Sequence, residues 1–136
     1  MSAIPRSVLI VDDSALNRLL VAATLRRDGY RILEAEDGAS GLDTIERERP
    51  DLVILDFMMP GMDGAEMMRR LRARSGSSTP RILLMTALDA EQSAAKAREL
   101  GANGHLIKPF APFELRSRVK ELLTGSSWNP KADANH

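Results

Sequence analysis

A chain of 136 residues is the size of one domain and can bury roughly 68% of its unfolded surface, so it needs no covalent staples. Lysine plus arginine equal aspartate plus glutamate at 19 each, which leaves no net field to favour nucleic acid or an anionic membrane. The absence of cysteine removes disulfides, thiolate zinc sites and a cysteine nucleophile. The N-terminus lacks a basic region leading into a long apolar one, and no apolar run approaches the ~20 residues of a membrane span, so a cytoplasmic domain is expected.

V-L-I-V (8–11) predicts a first strand. In 14–28, Leu16, Leu19, Leu20 and Ala23 recur at three- and four-residue spacing, which predicts a helix with those residues on one face. R-I-L-E-A (31–35) reads as a second strand, followed by a helix over 38–48 with Leu42 and Ile45 inward and Asp37 as N-cap. L-V-I-L (52–55) has almost no polar alternation, as expected of a strand covered on both faces. A helix over 64–74 presents Met67, Met68 and Leu71. R-I-L-L-M-T (81–86) is the fourth strand. The helix over 90–100 then presents Ala94, Ala97 and Leu100, capped by Asp89 and stopped by Gly101. H-L-I (105–107) is the fifth strand, and the helix over 112–123 buries Leu115, Val119, Leu122 and Leu123. Five β-α units in strict alternation predict an α/β domain over 1–124, a parallel sheet with helices on both faces. Residues 125–136 read as a flexible tail or the start of a linker, with Trp128 only partly packed.

Ligands of open parallel sheets bind beyond the carboxyl ends of the strands, where strand order reverses. The first strand ends in Asp12 and Asp13, the third in Asp56, the fourth in Thr86 and Ala87, and the fifth in Lys108 and Pro109. If these strands are neighbours, three carboxylates, a hydroxyl and an ammonium converge. Three such carboxylates repel, and without a partner one would have to take up a proton. An oxygen-seeking divalent cation removes the conflict, and carboxylates from two segments plus a carbonyl and waters suit Mg²⁺. With Lys108 that ion would make a cationic setting for a phosphoryl group, whose oxygens Thr86 Oγ and the Ala87 amide could hold. Asp56, at the centre, would be the nucleophile.

Each residue alone has a simpler explanation. Asp12 or Asp13 would cap the first helix, Asp56 would open an Asx-turn before Met59-Pro60-Gly61, and Thr86 and Lys108 would be ordinary strand-end and surface residues. Their joint fall at the same ends of alternating strands defeats those explanations. Four segments, V-L-I-V-D-D-S-A-L-N-R, D-L-V-I-L-D-F-M-M-P-G-M-D-G, M-T-A and I-K-P-F, in that order and spacing, resemble the receiver domain of two-component response regulators over residues 6–123. The resemblance implies a flavodoxin-like, doubly wound five-stranded sheet of order 2-1-3-4-5. It implies Asp56 as phospho-acceptor and Mg²⁺ held by Asp13, Asp56 and the Met58 carbonyl, with Asp12 acting through water. It also implies Thr86 and Lys108 on the phosphoryl group and a cis bond between Lys108 and Pro109. Implied partners are a histidine kinase or histidine phosphotransfer protein, and a downstream protein target or an output domain belonging to a longer chain. The domain would be a monomer or a phosphorylation-dependent dimer.

The match loosens at His105, where the family usually has Tyr or Phe. It is either a switch residue alongside Thr86 or a partly exposed strand histidine without that role. Met58 and Leu88 stand where the family controls hydrolysis of the aspartyl phosphate, and two apolar chains there suggest slow loss. Ala15, Leu16, Arg18 and Leu19 form a candidate docking face on the first helix, although Leu16 and Leu20 are read in preference as core. An aspartyl-nucleophile phosphatase would carry D-x-D after the first strand, whereas this pair is adjacent. A flavodoxin-like carrier would carry a hydroxyl- and glycine-rich loop there. A degenerate receiver acting only as a binding module is opposed by the intact acidic set. Direct nucleic-acid binding is not expected, because Arg116, Arg118 and Lys120 read as a solvated face.

Overall fold

The structure, a computed structural model, describes residues 5–75 and 79–124. Ten elements alternate: β1 (Ser7–Val11), α1 (Ala15–Arg26), β2 (Arg31–Ala35), α2 (Gly38–Glu48), β3 (Leu52–Asp56), α3 (Gly64–Ser75), β4 (Arg81–Thr86), α4 (Ala90–Leu100), β5 (Gly104–Ile107) and α5 (Pro112–Leu123). The five strands form one parallel sheet in the order β2-β1-β3-β4-β5. The expected fold class and strand order are therefore both found. The expected tail over 125–136, with Trp128, lies outside the described residues.

Two-residue alternation along the strands divides the core. Leu9, Val11, Val53, Leu55 and Leu84 face one way, under Leu42 and Ile45 of α2, Met67, Met68 and Leu71 of α3 and Ala97 of α4. Val8, Ile10, Leu52, Ile54, Leu83 and Met85 face the other way, under Val21 and Leu25 of α1 and Leu115, Val119 and Leu122 of α5. Every residue of β1 and β3 is buried, so those two strands are gripped from both sides. Asp37 caps α2 through the Ser40 amide and Asp89 caps α4 through the Gln92 amide, as expected. Gly101 ends α4 at φ +75°, where a side chain would be strained.

The first helix departs from the core reading of Leu16 and Leu20, while the exposure of Leu19 agrees with its place on the candidate docking face. Val21, Ala22 and Leu25 are buried, whereas Leu16, Leu19 and Leu20 are 58–66% exposed. Two stripes run along α1, each with helical spacing: 16, 19, 20 and 23, and 18, 21, 22 and 25. Periodicity shows that a stripe exists but not which stripe meets the sheet. The second wins because it starts at Arg18, whose guanidinium finds a carbonyl and a carboxylate beneath the helix. The helix is capped by Ser14, whose Oγ accepts from the Asn17 amide, and not by Asp12 or Asp13. In α4 the inward face is likewise turned slightly, with Ser93 and Ala97 buried and Ala94 and Leu100 only partly covered.

Replacing Leu25 by Ala should cost about 2–5 kcal/mol of unfolding free energy, the range for a large-to-small change in a packed core. Leu19→Ala should stay within about 0.5 kcal/mol of wild type, as an exposed site does. Urea unfolding monitored by circular dichroism measures both, and a larger loss for Leu19→Ala than for Leu25→Ala would place the two stripes the other way round.

Candidate functional site

The strand order reverses between β1 and β3, and the acidic residues stand at that point. Register pairs Val11 with Leu55, so Asp12 and Asp56 leave the sheet side by side. One carboxylate oxygen from each of Asp12, Asp13 and Asp56 lies within 4.8 Å of the others. Asp12 and Asp56 are buried, while Asp13 is exposed. From β5, Lys108 brings its Nζ to 3.2 Å from Asp56 Oδ2 and 3.7 Å from Asp12 Oδ2. The bond from Lys108 to Pro109 is cis.

Asp12 is held on every side. Its amide donates to the Ala35 carbonyl at 3.1 Å, and Oδ1 accepts from the Ser14 amide at 2.9 Å. Oδ2 accepts from Asn17 Nδ2, and the main-chain carbonyl accepts from Arg18 at 2.6 Å. Asp56 Oδ1 accepts from the Met58 amide at 3.2 Å, so the Asx-turn foreseen for it does form, alongside its place in the acidic cluster. The loop that follows folds back so that the Gly64 amide donates to the Phe57 carbonyl at 2.9 Å. A Cβ on Gly64 would stand 2.9 Å from Phe57 Cα, so only glycine admits α3 this close to the end of β3. Met58 projects outward, 65% exposed.

Thr86, buried at the end of β4, accepts on Oγ1 from the Leu88 amide at 3.0 Å, which fixes the turn carrying Ala87. Its carbonyl accepts from the Lys108 amide at 2.7 Å and brings the end of β5 alongside. His105 is buried, not partly exposed, and its Nδ1 lies 2.6 Å from Oγ of the buried Ser93 on α4. Arg18 is not presented for docking. Its side chain is only 15% exposed, with Nε 3.3 Å from Glu34 of β2. Ala15, Leu16 and Leu19 do lie on the surface. Ser93 and Glu34 are partners outside the four quoted segments, and Asn17 lies within the first of them without having been assigned a role.

The family profile of the response regulator receiver domain matches residues 8–120. The chain belongs to that family. Among curated relatives, this receiver is 39% identical over 116 residues to sporulation initiation phosphotransferase F of Bacillus subtilis, covering 85% of the chain and 92% of the relative. It is 39% identical over 121 residues to the alkaline phosphatase synthesis transcriptional regulatory protein PhoP of Bacillus subtilis, covering 89% of the chain and 50% of the relative. The receiver spans about half the length of several curated relatives it matches. Among solved structures, the chemotaxis response regulator CheY4 of Vibrio cholerae superposes with a TM-score of 0.80 at 33% identity, covering 88% of this chain and 99% of that one. The receiver domain of a sensor histidine kinase from Pseudomonas aeruginosa, described with a magnesium ion in its active site cleft, superposes at 0.79 with 29% identity, covering 90% of this chain and all of that one.

The receiver's acidic cluster is electrostatically short of cations. Burial pushes the Asp56 carboxyl above its usual range. The Lys108 ammonium pulls it back, the Asp12 charge pushes it up again, and the Met58 amide lowers it a little. The net direction is upward, so the receiver holds an anion it would be easier to protonate. The donors are all hard oxygens, their spread is close to the roughly 4 Å between opposite ligands of one Mg²⁺, and their charge is incompletely offset. The residues therefore fit a magnesium ion.

Because the folded Asp56 is the weaker acid, its ionised form costs stability above the folded value. That cost fades as pH falls through the folded value toward the ordinary one. Without divalent cations, Asp56→Asn should therefore melt higher than wild type at neutral pH, and the gap should close as pH falls. Thermal melts across that range measure it, and a gap that widens on acidification would contradict the assigned direction.

Proposed function

We propose that this receiver takes a phosphoryl group onto Asp56 from a phosphohistidine donor and that the aspartyl phosphate alters its protein contacts. The observation that carries this reading is the buried Asp56 carboxylate with Lys108 Nζ at 3.2 Å and the carboxylates of Asp12 and Asp13 beside it. Asp13, Asp56 and the Met58 carbonyl would bind Mg²⁺. Both carboxylate oxygens of Asp12 already accept hydrogen bonds, which suits a role through water. The ion would supply positive charge against the phosphoryl oxygens.

In the transfer, an Asp56 oxygen attacks phosphorus in line, the P–N bond breaks, and its electron pair leaves on the donor's imidazole nitrogen. Lys108 offsets charge on the transferred oxygens. Thr86 Oγ1 and the Ala87 amide would donate to them, Thr86 exchanging its bond from Leu88 for one it gives. Moving Thr86 would shift the turn before α4, to which His105 is tied through Ser93, so these two are the proposed switch positions. The chain catalyses its own phosphorylation and dephosphorylation and turns over no separate substrate.

The donor's helical domain would dock on Ala15, Leu16, Leu19 and Leu20. Of these, Leu20 also lines an apolar groove of about 610 Å³, with Val21, Pro109, Phe110 and Pro112. Arg18 does not belong to this face. Output passes to a downstream protein or to a further domain of a longer chain, by the receiver as monomer or phosphorylation-dependent dimer. No described helix is long and apolar enough to cross a membrane.

With Mg²⁺ and a small phosphodonor such as acetyl phosphate, the intact mass should rise by one phosphoryl group, and Asp56→Asn should show no rise. A variant that still labels would move the acceptor elsewhere. Exposed, apolar Met58 beside the acceptor screens it from attacking water. Met58→Asn should therefore shorten the phosphoryl lifetime about tenfold, equivalent to about 1.4 kcal/mol of barrier, as read by the decay of the mass peak.

A further inference from the structure

We propose that Arg18, braced by Glu34, is a positioning residue for the acidic pair and acts through the Asp12 carbonyl. The inference rests on the metal site proposed above and concerns how that site is held before any ion arrives. The carbonyl that Arg18 Nη1 grips at 2.6 Å belongs to the peptide unit joining Asp12 to Asp13. That unit is planar, so fixing its oxygen fixes the direction in which the Asp13 Cα is presented. Asp13 is exposed, and, unlike Asp12, its side chain is not enclosed by neighbouring elements. Its placement depends on its backbone.

The brace closes a circuit. Arg18 Nε stands 3.3 Å from Glu34 on β2, the next residue, Ala35, accepts the Asp12 amide at 3.1 Å, and Asp12 returns to Arg18 through its carbonyl. The Arg18 amide meanwhile donates to the carbonyl of the cap residue Ser14 at 3.0 Å, so the helix start and the guanidinium move together. A planar, forked guanidinium can hold a carbonyl and a carboxylate at once, which a single ammonium cannot do rigidly. Glu34 also neutralises the guanidinium, with Arg26 adding a weaker contact at 3.8 Å. The contribution to the carboxylates is therefore geometric more than electrostatic.

The magnitudes make the point. A turn of about 15° in that peptide plane moves a carboxylate oxygen some 4 Å away by about 1 Å, whereas a ligand must sit within about 0.2 Å of its ideal distance. Residues that orient metal ligands from behind typically change affinity by about 10–100-fold when lost.

The test is the Mg²⁺ dissociation constant of the intact chain by calorimetry, together with amide exchange at Asp13 in EDTA. Arg18→Met should weaken Mg²⁺ at least tenfold and speed exchange at Asp13. Arg18→Lys should fall between it and wild type. Arg26→Met, which loses a Glu34 contact but touches nothing at Asp12, should match wild type in both. Glu34→Gln should weaken Mg²⁺ in the same direction as Arg18→Met and serves if that variant does not fold. Arg18→Met binding within twofold of wild type, or Arg26→Met weakening equally, overturns the inference. Asp13→Asn separates the levels. Lost binding there with intact binding in Arg18→Met sinks only the Arg18 role, whereas intact binding in Asp13→Asn sinks the metal site and the Arg18 role with it.

Discussion

Three carboxylates drawn together against a single ammonium are the constraint on which this structure turns. Left in water, Asp12, Asp13 and Asp56 would drift apart, and in a soft loop they would do the same. Here they cannot, because β1 and β3 are buried end to end and hand two of the carboxylates over at adjacent register positions. The core is thus also a device for holding like charges close. Lys108 relieves part of the repulsion, and the remainder is the charge that the proposed divalent cation would offset.

Around that cluster the protein spends its polar contacts unevenly. Asp12 is bound through its amide, its carbonyl and both side-chain oxygens, whereas Asp13 is left open. One carboxylate is built into the framework and the other is kept available. On the far side of Asp56, Thr86 and Lys108 are joined main chain to main chain, so a change at the hydroxyl is felt where β4 and β5 leave the sheet. The buried pair of His105 and Ser93 extends that connection to α4.

Much of this was legible in the sequence, for physical reasons that differ by element. Strands buried on both faces show as unbroken apolar runs, and caps such as Asp37 and Asp89 show because few residue types satisfy a helix start. The acidic cluster showed as a set, since alternation alone brings strand ends to one edge. The orientation of α1 was hidden. Its leucines outweigh Val21, Ala22 and Leu25 in hydrophobicity, and the decision fell to a half-buried arginine that composition marks as a surface residue. The capping role of Ser14 was masked by two stronger-looking candidates just before it. The partnership of Ser93 with His105 joins residues twelve apart on different elements, a distance at which sequence pattern carries no information.

The two stripes of α1 carry different burdens. The inner one, from Arg18 through Val21 and Ala22 to Leu25, is tied to the sheet and to the peptide between the acidic residues. The outer one, Leu16, Leu19 and Leu20, touches neither. If the donor docks on the outer stripe as proposed, substitutions there would retune which donor is recognised and leave the inner ties intact. A gene duplicate could be insulated from its sibling's kinase by a few changes on one side of a single helix.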